Sequence, residues 1–238
     1  MSKIVGIVLA GGRGKRMNSA VPKQYLELNG YPVLYYALRI FQESFVDEII
    51  VVTAESEIAY CQREIVERYW FSKVTKVVAG GKERYHSVYQ GLQAIQTADY
   101  VYIHVGARPF VSVKLLEQVQ KLLEQQCGST KACVVGMPVK DTIKIVNKDQ
   151  YVTSTPERDL VWAVQTPQAF SFDLVKKAYD KLMQQDEETI QVTDDAMVVE
   201  LMLSHPIQMV KGSYRNIKIT TPEDLDIARI FLNAEENG

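Results

Sequence analysis

The sequence predicts an α/β fold with a mostly parallel, twisted sheet, helices on both faces and a projecting β-hairpin. Apolar runs of strand length alternate with segments of helical periodicity through residues 4–135. This alternation is typical of parallel strands joined by crossover helices. The first run, residues 4–10, is almost wholly apolar, as expected of a strand buried on both faces. The alternation ends at Pro138, where two β-rich stretches surround a polar turn.

The sheet strands are predicted from apolar runs of strand length, several of which end in glycine or a tight turn. A run that is apolar at nearly every position indicates burial on both faces, whereas the later runs are more mixed. The predicted strands are residues 4–10, 48–53, 74–79, 100–105, 132–135, 162–166, 207–210 and 216–220.

The helices are predicted from apolar residues at helical spacing between these strands. In residues 33–44, for example, Leu34, Leu38 and Phe41 share one face, and Pro32 is a favourable residue for the first turn. The predicted helices are residues 33–44, 57–70, 83–95, 114–126, 172–183, 194–203 and 221–232.

Residues 139–161 are predicted to form an arm outside the main fold. Stretches 141–146 and 150–155 are rich in β-formers and flank a polar turn at residues 147–149. A lone hairpin is marginally stable in water, so it is expected to cover a site or contact a second subunit. With neither repeat nor linker, residues 1–238 are interpreted as one domain carrying this insertion.

Composition limits the partners and the compartment. The chain has 238 residues, 47% of them hydrophobic and 24% charged, and a net charge of -2. That charge gives no general attraction to nucleic acid or to an anionic membrane, so a small-molecule partner is expected. The three cysteines, Cys61, Cys127 and Cys133, suit neither a disulfide framework nor a zinc cluster. No stretch reaches membrane-spanning length or resembles a signal peptide, which leads us to expect a cytoplasmic protein.

The loop after the first strand combines glycines with cations. Glycines let the backbone turn tightly and present bare N–H groups, and clustered cations suit a polyphosphate. Two known phosphate loops do not match, because Lys15 is followed by Arg16 instead of Ser or Thr, and the third glycine of a dinucleotide fingerprint is replaced by Met17. Residues 9–17 instead resemble the loop of sugar-nucleotide-type nucleotidyltransferases. The residues of interest here are Gly11, Gly12, Gly14, Arg13, Lys15, Arg16 and Lys23.

Other polar residues follow the carboxyl ends of the predicted strands, where ligands bind in open α/β sheets. They are the Gly80-Gly81 pair, the turn at residues 104–109 and the segment that carries Lys218. Nucleotidyl transfer between phosphates needs alignment and charge neutralisation and no proton transfer. Lysines 23 and 218 are therefore the candidate catalytic cations, while His104 is interpreted as a structural histidine. Asp194 and Asp195 are interpreted as a helix cap that begins at Thr193.

Nearly the whole chain resembles the 2-C-methyl-D-erythritol 4-phosphate cytidylyltransferase family of the non-mevalonate isoprenoid pathway. The resemblance implies a Rossmann-like nucleotidyltransferase fold, transfer of CMP from CTP to methylerythritol phosphate, and a homodimer in which each arm reaches the partner's site. The matching stretches are residues 9–17, 22–25, 79–84, 87–88, 104 with 106–109, 138–144, 157–158, 165–170, 193–196 and 216–225.

The resemblance also implies a role for individual residues. Arg16, Lys23 and Lys218 hold the triphosphate, and Lys23 stabilises the transition state. The methylerythritol phosphate is bound by Thr142 and Arg158, from the partner subunit's arm, and by Arg108. The expected CTP-binding residues are Ala10, Gly11, Gly12, Gly14, Gly80, Ser87 and Ala107.

One position departs from the family pattern. Where the family has an aspartate that helps to hold Mg²⁺, this chain has Val105, and Arg215 stands where some relatives carry an acid. Magnesium keeps several waters and substrate phosphates as ligands, so we expect it to arrive with CTP. Two alternative functions stay open: a cytidylyltransferase for another polyol phosphate, such as ribitol 5-phosphate, and a nucleotide-binding homologue whose metal site is impaired.

Overall fold

The computed structural model describes residues 2–12, 15–17, 19, 21–125, 131–186 and 191–236. Arg13, Gly14 and Cys127, which the sequence analysis singled out, lie outside these residues, as does the last residue of the predicted helix 114–126. The strands are β1 (Ile4–Leu9), β2 (Glu27–Leu28), β3 (Tyr31–Pro32), β4 (Glu48–Thr53), β5 (Val74–Ala79), β6 (Tyr100–Val105), β7 (Ala132–Pro138), β8 (Ile145–Val146), β9 (Val152–Ser154), β10 (Trp162–Ser171) and β11 (Gln208–Lys211).

The helices alternate with these strands as the sequence predicts. They are α1 (Val33–Glu43), α2 (Ile58–Tyr60), α3 (Arg84–Ala94), α4 (Val113–Gln125), α5 (Phe172–Leu182), α6 (Asp195–Leu203) and α7 (Pro222–Glu236). The predicted helix 57–70 is shorter and less regular than expected, because α2 continues into a π-helix that ends at Glu67.

A seven-stranded sheet forms the centre of the molecule, in the order β11-β7-β10-β6-β1-β4-β5. Neighbouring strands run parallel except at β10, which is antiparallel to both β6 and β7. The predicted mostly parallel sheet is confirmed. Strand β10 is also longer than predicted, since it continues past Thr166 to Ser171.

Helices cover both faces of the sheet, because successive residues of a strand point to opposite sides. In β4, Ile49 and Val51 pack in a cluster with α1 and α4. Ile50 and Val52 face the other way and pack with α3, α5 and α6. Each fully buried side chain of this size contributes about 1.5–3 kcal/mol relative to an exposed one. The central strands are therefore the rigid frame on which the loops at their ends are held.

The predicted strand 216–220 is wrong. These residues have no strand structure, because their backbone groups bond to side chains and a turn instead of a neighbouring strand. Ile219 N–H donates to Ala107 O at 2.8 Å, while Ile219 O accepts from Lys23 Nζ at 3.0 Å. The buried Asn216 donates its side-chain amide to Thr166 O at 2.9 Å. Lys218 thus lies in an extended segment that hydrogen bonds hold on both sides of it, at Asn216 and at Ile219.

The predicted arm leaves the sheet between β7 and β10. Pro138 and Trp162 are paired at its base, and β8 and β9 form a separate two-stranded antiparallel sheet that is shorter than expected. Large apolar side chains on the arm are exposed to solvent, with Tyr151 73% and Leu160 76% accessible. Within the described residues, no helix has both the length and the hydropathy needed to cross a membrane.

Candidate active site

A cavity of about 760 Å³ opens at the carboxyl ends of β1, β4, β5 and β6. This is the edge of the sheet where open α/β folds bind ligands. Most of the predicted nucleotide-binding residues line it, and both predicted lysines do so as well. The predicted residues that line the cavity are Ala10, Gly11, Gly12, Lys23, Gly80, Ser87, Ala107 and Lys218.

A short 3-10 helix, Lys23–Tyr25, brings Lys23 to the cavity. The two residues that follow Lys23 are buried, and they bond to the last residue of β4 and to the 3-10 helix that follows it. Gln24 Nε2 donates to Glu57 Oε2 at 3.1 Å, and Tyr25 and Thr53 share a hydrogen bond of 3.1 Å between their hydroxyls. The lysine therefore extends from an anchored segment, which limits the freedom of its ammonium group.

Positive charges crowd around Lys23. The pKa of Lys23 is lowered to about 8, first by burial and then by the charges of Lys218, Arg16 and Arg108, against an opposing contribution from Asp224. Like charges this close disfavour protonation. A polyanion in the cavity would relieve that repulsion, so the electrostatics favour a bound phosphate chain.

Lys218 and Arg108 form the other side of this positive cluster. Desolvation lowers the pKa of Lys218, with further lowering by Arg108, Arg84 and Arg16. Burial also lowers the pKa of Arg108 to about 10. The Arg108 guanidinium donates to two backbone carbonyls, those of Asn216 at 2.6 Å and Val164 at 3.4 Å. In the described part of the chain neither residue forms a salt bridge with a carboxylate, which leaves both charges for a ligand.

His104 is buried beneath the site, and both of its ring nitrogens are hydrogen-bonded. Thr166 Oγ1 accepts from Val105 N–H at 3.1 Å and shares a 3.0 Å bond with His104 Nδ1. The Arg108 carbonyl oxygen can only accept, so His104 Nε2–H donates to it at 3.2 Å, and in the neutral ring Nδ1 accepts from the Thr166 hydroxyl. Burial lowers the histidine pKa to about 3. His104 is thus a neutral structural residue, in agreement with its interpretation from the sequence.

The α3 side of the cavity is polar and contains Ser87. Gly81 N–H donates to Ser87 Oγ at 3.1 Å, and Ser87 Oγ donates to Glu83 O at 3.2 Å. A Cβ atom on Gly80 would lie only 2.6 Å from Ser87 Oγ, so the close approach of the serine requires glycine there. Gly12 differs, because a Cβ on it would lie 3.8 Å from its nearest neighbour, Lys23 Cε. Its missing side chain keeps the cavity open and is not required by packing.

Arg84 is a cavity residue to which the sequence analysis gave no role. Its guanidinium forms a bidentate ion pair with Asp195, with Nη1 at 2.7 Å from Oδ1 and Nη2 at 2.5 Å from Oδ2. Tyr179 O–H donates to the same carboxylate at 2.6 Å. The interpretation of Asp195 as a cap is wrong, because Asp194 alone caps α6 by accepting from Met197 N–H at 2.9 Å. A sequence signal existed: a cation in the first turn of α3 opposes the helix dipole and needs compensation.

Comparison with known proteins identifies the family. The sequence model of 2-C-methyl-D-erythritol 4-phosphate cytidylyltransferase matches residues 4–234. The chain belongs to this family. It is 52% identical over 227 residues to the cytidylyltransferase of Lachnospira eligens, covering 95% of this chain and 97% of that one. It is 47% identical to the enzyme of Lachnoclostridium phytofermentans, covering 100% of this chain and 99% of the other.

A solved structure has the same architecture. The 4-diphosphocytidyl-2C-methyl-D-erythritol synthase of Anaerococcus prevotii superposes with a TM-score of 0.82 at 33% identity, covering 98% of this chain and 96% of that chain. This chain is accordingly a cytidylyltransferase whose substrates are CTP and 2-C-methyl-D-erythritol 4-phosphate.

The remaining described site residues predicted for this cytidylyltransferase do not line the cavity, and they are Arg16, Arg108, Thr142 and Arg158. Arg16 is exposed. The pKa of Lys23 is lowered mainly by burial, and the charge of Arg16 adds to that lowering. Thr142 and Arg158 lie on the arm, where both are exposed to solvent. Arg158 contacts only its neighbour Asp159, at 4.0 Å, among the salt bridges within the described residues. One chain therefore assembles the cavity without these two arm residues.

The site does not fit a magnesium ion held by the protein. Across the described ranges, no cluster of three or more His, Cys, Asp or Glu side chains could hold a metal. At the end of β6 the cavity is lined by Val105, which has no ligand atom. The carboxylates that line the cavity are Glu55 and Glu83, and Glu83 already caps α3. Arg215 lies over the ring of Phe231, 5.1 Å from its centroid.

Proposed function

We propose that the cavity binds CTP and that Arg16, Lys23 and Lys218 promote transfer of CMP to the phosphate of 2-C-methyl-D-erythritol 4-phosphate. The observation that carries this assignment is the cluster of positive side chains without salt-bridge partners in the described structure. Lys23 and Lys218 line the same cavity. Burial and then neighbouring positive charges lower the pKa of each lysine. A triphosphate supplies the missing negative charge.

The reaction moves one phosphoryl centre between two oxygens. An ionised phosphate oxygen of the acceptor attacks the α-phosphorus of CTP, a new P–O bond forms, and the bond to the β-phosphate oxygen breaks. Pyrophosphate leaves with the electron pair of that bond, so no proton must move. The protein aligns the phosphates and offsets the charge that develops in the transition state. Removal of one such donor costs about 2–4 kcal/mol, by analogy with oxyanion sites.

Each cation has a distinct position in this arrangement. Lys23 is held by Ile219 O at 3.0 Å, which directs its ammonium group to the junction of the glycine loop and the 216–220 segment. Lys218 belongs to that segment, so the two ammonium groups approach the phosphates from different elements. We assign Lys23 to the transition state, and Arg16 with Lys218 to the remaining phosphate oxygens. Magnesium arrives as part of the CTP complex, which makes it a component of the substrate.

The neutral polar part of the cavity is assigned to the nucleoside. Ser87 and the backbone at Gly80 can satisfy the hydrogen-bonding groups of cytosine, with Ala10, Gly11 and Ala107 as further contacts at the strand ends. An open glycine such as Gly12 lets the phosphate chain approach backbone N–H groups. The predicted contact from Gly14 stays a prediction.

The arm is assigned to a homodimer interface. Its exposed apolar side chains, including Tyr151 and Leu160, form the kind of surface that marks protein contacts, and an isolated hairpin is marginal in water. The arm residues Thr142 and Arg158 are then free to reach the partner's cavity and to bind the acceptor beside Arg108. Residues 1–238 act as one domain with 139–161 as this dimerisation arm. Sedimentation analysis tests the assignment, and a monomer at micromolar concentration contradicts it.

The location proposed for the enzyme is the cytoplasm. Cys61 and Cys133 are buried free thiols, as expected in a reducing compartment. The small anionic substrates of the cavity, and not nucleic acid or membrane, are the proposed partners besides the second subunit.

The function is tested by turnover with purified protein. CTP and methylerythritol phosphate should yield pyrophosphate and 4-diphosphocytidyl-2-C-methyl-D-erythritol. Ribitol 5-phosphate is the comparison acceptor, and a faster reaction with it would contradict the acceptor assignment. CTP binding without turnover on either acceptor would instead indicate a nucleotide-binding homologue with an impaired metal site.

A further inference from the structure

The ion pair between Arg84 and Asp195 forms part of the cavity wall. Asp195 is fully buried, whereas the Arg84 side chain keeps 32% of its surface accessible, and Arg84 is one of the residues that line the cavity. The two residues are 111 positions apart in sequence. They join the first turn of α3, which lines the cavity, to the first turn of α6 behind it.

Asp195 holds the guanidinium in one orientation. Its two oxygens accept from the two terminal nitrogens of Arg84, and one of them also accepts from Tyr179 O–H. The Asp195 backbone N–H donates to Gln168 Oε1 of β10 at 3.0 Å. The carboxylate is therefore fixed by three elements, and the arginine is fixed through it.

Most of the hydrogen-bonding capacity of Arg84 is still available. A guanidinium carries five N–H groups, and both hydrogen bonds that the structure describes for Arg84 go to Asp195. This leaves about three N–H groups for an acceptor in the cavity. The side chain thus presents oriented donors to whatever occupies this wall.

The charge of the pair distinguishes it from the lysine cluster. Asp195 compensates the positive charge of Arg84, and Glu83 lines the cavity beside it. A phosphate is served better by Lys23 and Lys218, which have no carboxylate partner in the described residues. A neutral hydroxyl oxygen suits the paired arginine, because it accepts a charge-assisted hydrogen bond without bringing a second anion near Asp195.

Arg84 lies on the nucleoside side of the cavity. It follows Glu83, which caps the helix that contains Ser87, and Glu83, Arg84 and Ser87 all line the cavity. Because Ser87 is assigned to the nucleoside, Arg84 belongs to the same wall of the cavity as that assignment.

We propose that Arg84 is a specificity residue that donates hydrogen bonds to a substrate hydroxyl, and that Asp195 and Tyr179 are the residues that position it. The chemistry is that of a neutral diol, which both substrates contain: the ribose of CTP and the polyol of the acceptor. The proposal rests on the function proposed above and adds a recognition contact that the phosphate-binding residues do not supply.

The test uses variants that separate recognition from stability. Arg84→Lys keeps the charge and loses the planar fork. The double variant Arg84→Gln with Asp195→Asn removes both charges and so avoids an uncompensated buried carboxylate. Arg229→Lys, in the exposed Arg229–Asp226 pair of α7, is the matched control. For each protein, calorimetry gives the Kd of CTP and of its 2′-deoxy and 3′-deoxy analogues, steady-state kinetics give the acceptor KM, and Tm reports folding.

Two results support the proposal and identify the substrate. If the ribose is the ligand, both Arg84 variants weaken CTP at least about tenfold and leave one deoxy analogue within about twofold, because that analogue already lacks the contact. If the acceptor is the ligand, its KM rises at least about tenfold while the Kd of CTP stays within about twofold. Arg229→Lys changes none of these values.

Other results overturn it. A fall in Tm or kcat with unchanged CTP affinity and acceptor KM means that Arg84 only braces the two helices. Equal weakening of CTP and both deoxy analogues, with an unchanged acceptor KM, means a contact to base or phosphate. The nucleotide Kd values do not require turnover, so an inactive wild-type protein would contradict the proposed function without deciding the role of Arg84.

Discussion

The cavity and the arm differ in how completely a single chain builds them. The cavity lies at the ends of four strands of the central sheet, and side-chain hydrogen bonds fix Lys23 and Arg84 in its lining and Arg108 in the positive cluster. The arm leaves the same sheet but forms only the short β8–β9 pair, and it exposes Tyr151 and Leu160.

This difference indicates a division of labour between the two regions. Burial against a large sheet pays the conformational cost of holding catalytic cations in place. The arm lacks such support in one chain, so its order and the position of Arg158 depend on a second surface. We therefore propose that the nucleotide half of the site is intrinsic to each subunit and that the acceptor half requires the dimer.

The largest effect is expected from Lys23, in the intrinsic half. Lys23→Ala should lower kcat/KM by about 100-fold or more, since the loss of one transition-state donor costs roughly 2–4 kcal/mol. Its Tm should fall by only about 2–4 °C, because the hydrogen bond lost to Ile219 O is worth about 1 kcal/mol. Lys121→Ala, at an exposed position of α4, is the control in the same steady-state assay. A decrease smaller than about tenfold would remove Lys23 from the transition state.

The next effect concerns the half that depends on the partner. Arg158→Ala should raise the KM for methylerythritol phosphate by about tenfold or more, through loss of a charge-assisted phosphate contact, and leave CTP affinity unchanged. Mixed dimers with Lys23→Ala subunits should regain activity, because one of their two sites combines an intact Lys23 with an intact arm.

Kinetics of mixed and unmixed variants after verified subunit exchange measure that recovery. If the mixture is no more active than the two separate variants, each site is complete within one chain and the shared site is falsified. The activity regained cannot exceed that of one active site in each mixed dimer.

A smaller effect is expected from pH. The pKa of Lys23 is lowered to about 8 by burial and neighbouring cations, so its cationic form predominates below that pH and is lost above it. The kcat/KM for CTP, which reports the free enzyme, should be about tenfold lower at pH 9 than at pH 7. Bound triphosphate favours the charged form, so kcat should decline at higher pH. Lys23→Arg should shift the decline in kcat/KM upward, and a decline that stays near pH 8 in this variant would belong to another group.

The smallest effect is expected at Val105, where the intrinsic half lacks a metal ligand. Val105→Asp should lower the magnesium concentration for half-maximal activity by a few fold and raise the maximal rate, because a carboxylate near the CTP complex adds an oxygen ligand. Nearby positive charge should keep that carboxylate ionised. Magnesium titrations of the wild type, Val105→Asp and Val105→Asn decide the matter. Identical curves would show that position 105 does not approach the metal.

Local periodicity predicts the frame of this protein well. Strands 48–53 and 100–105 have the predicted bounds, because mostly apolar runs specify burial on both faces. Strand 74–79 also has the predicted bounds, although it lies at the edge of the sheet and is only partly buried. Candidate residues after these strands, such as Gly80 and Ser87, also line the cavity, since parallel strands place their carboxyl ends at one edge.

The errors arise where long-range contacts override local pattern. Residues 216–220 were expected to form a strand, but hydrogen bonds from Lys23 and Asn216 to distant groups hold them as an extended segment. Asp195 was expected to cap a helix, but its carboxylate is the buried partner of Arg84. In both places the local sequence is compatible with the predicted element, but a partner distant in the chain satisfies the polar groups instead.

The sequence by itself determined the α/β architecture, the glycine-rich loop that precedes Lys23, and the existence of an arm, because strand length, helical spacing and glycine placement are local properties. Only the tertiary structure decided that Lys23 and Ile219, 196 residues apart, share a hydrogen bond, and that Arg84 is oriented by Asp195. The physical reason is that a buried polar group must be hydrogen-bonded. Its partner can lie far away in the sequence, where no local pattern indicates it.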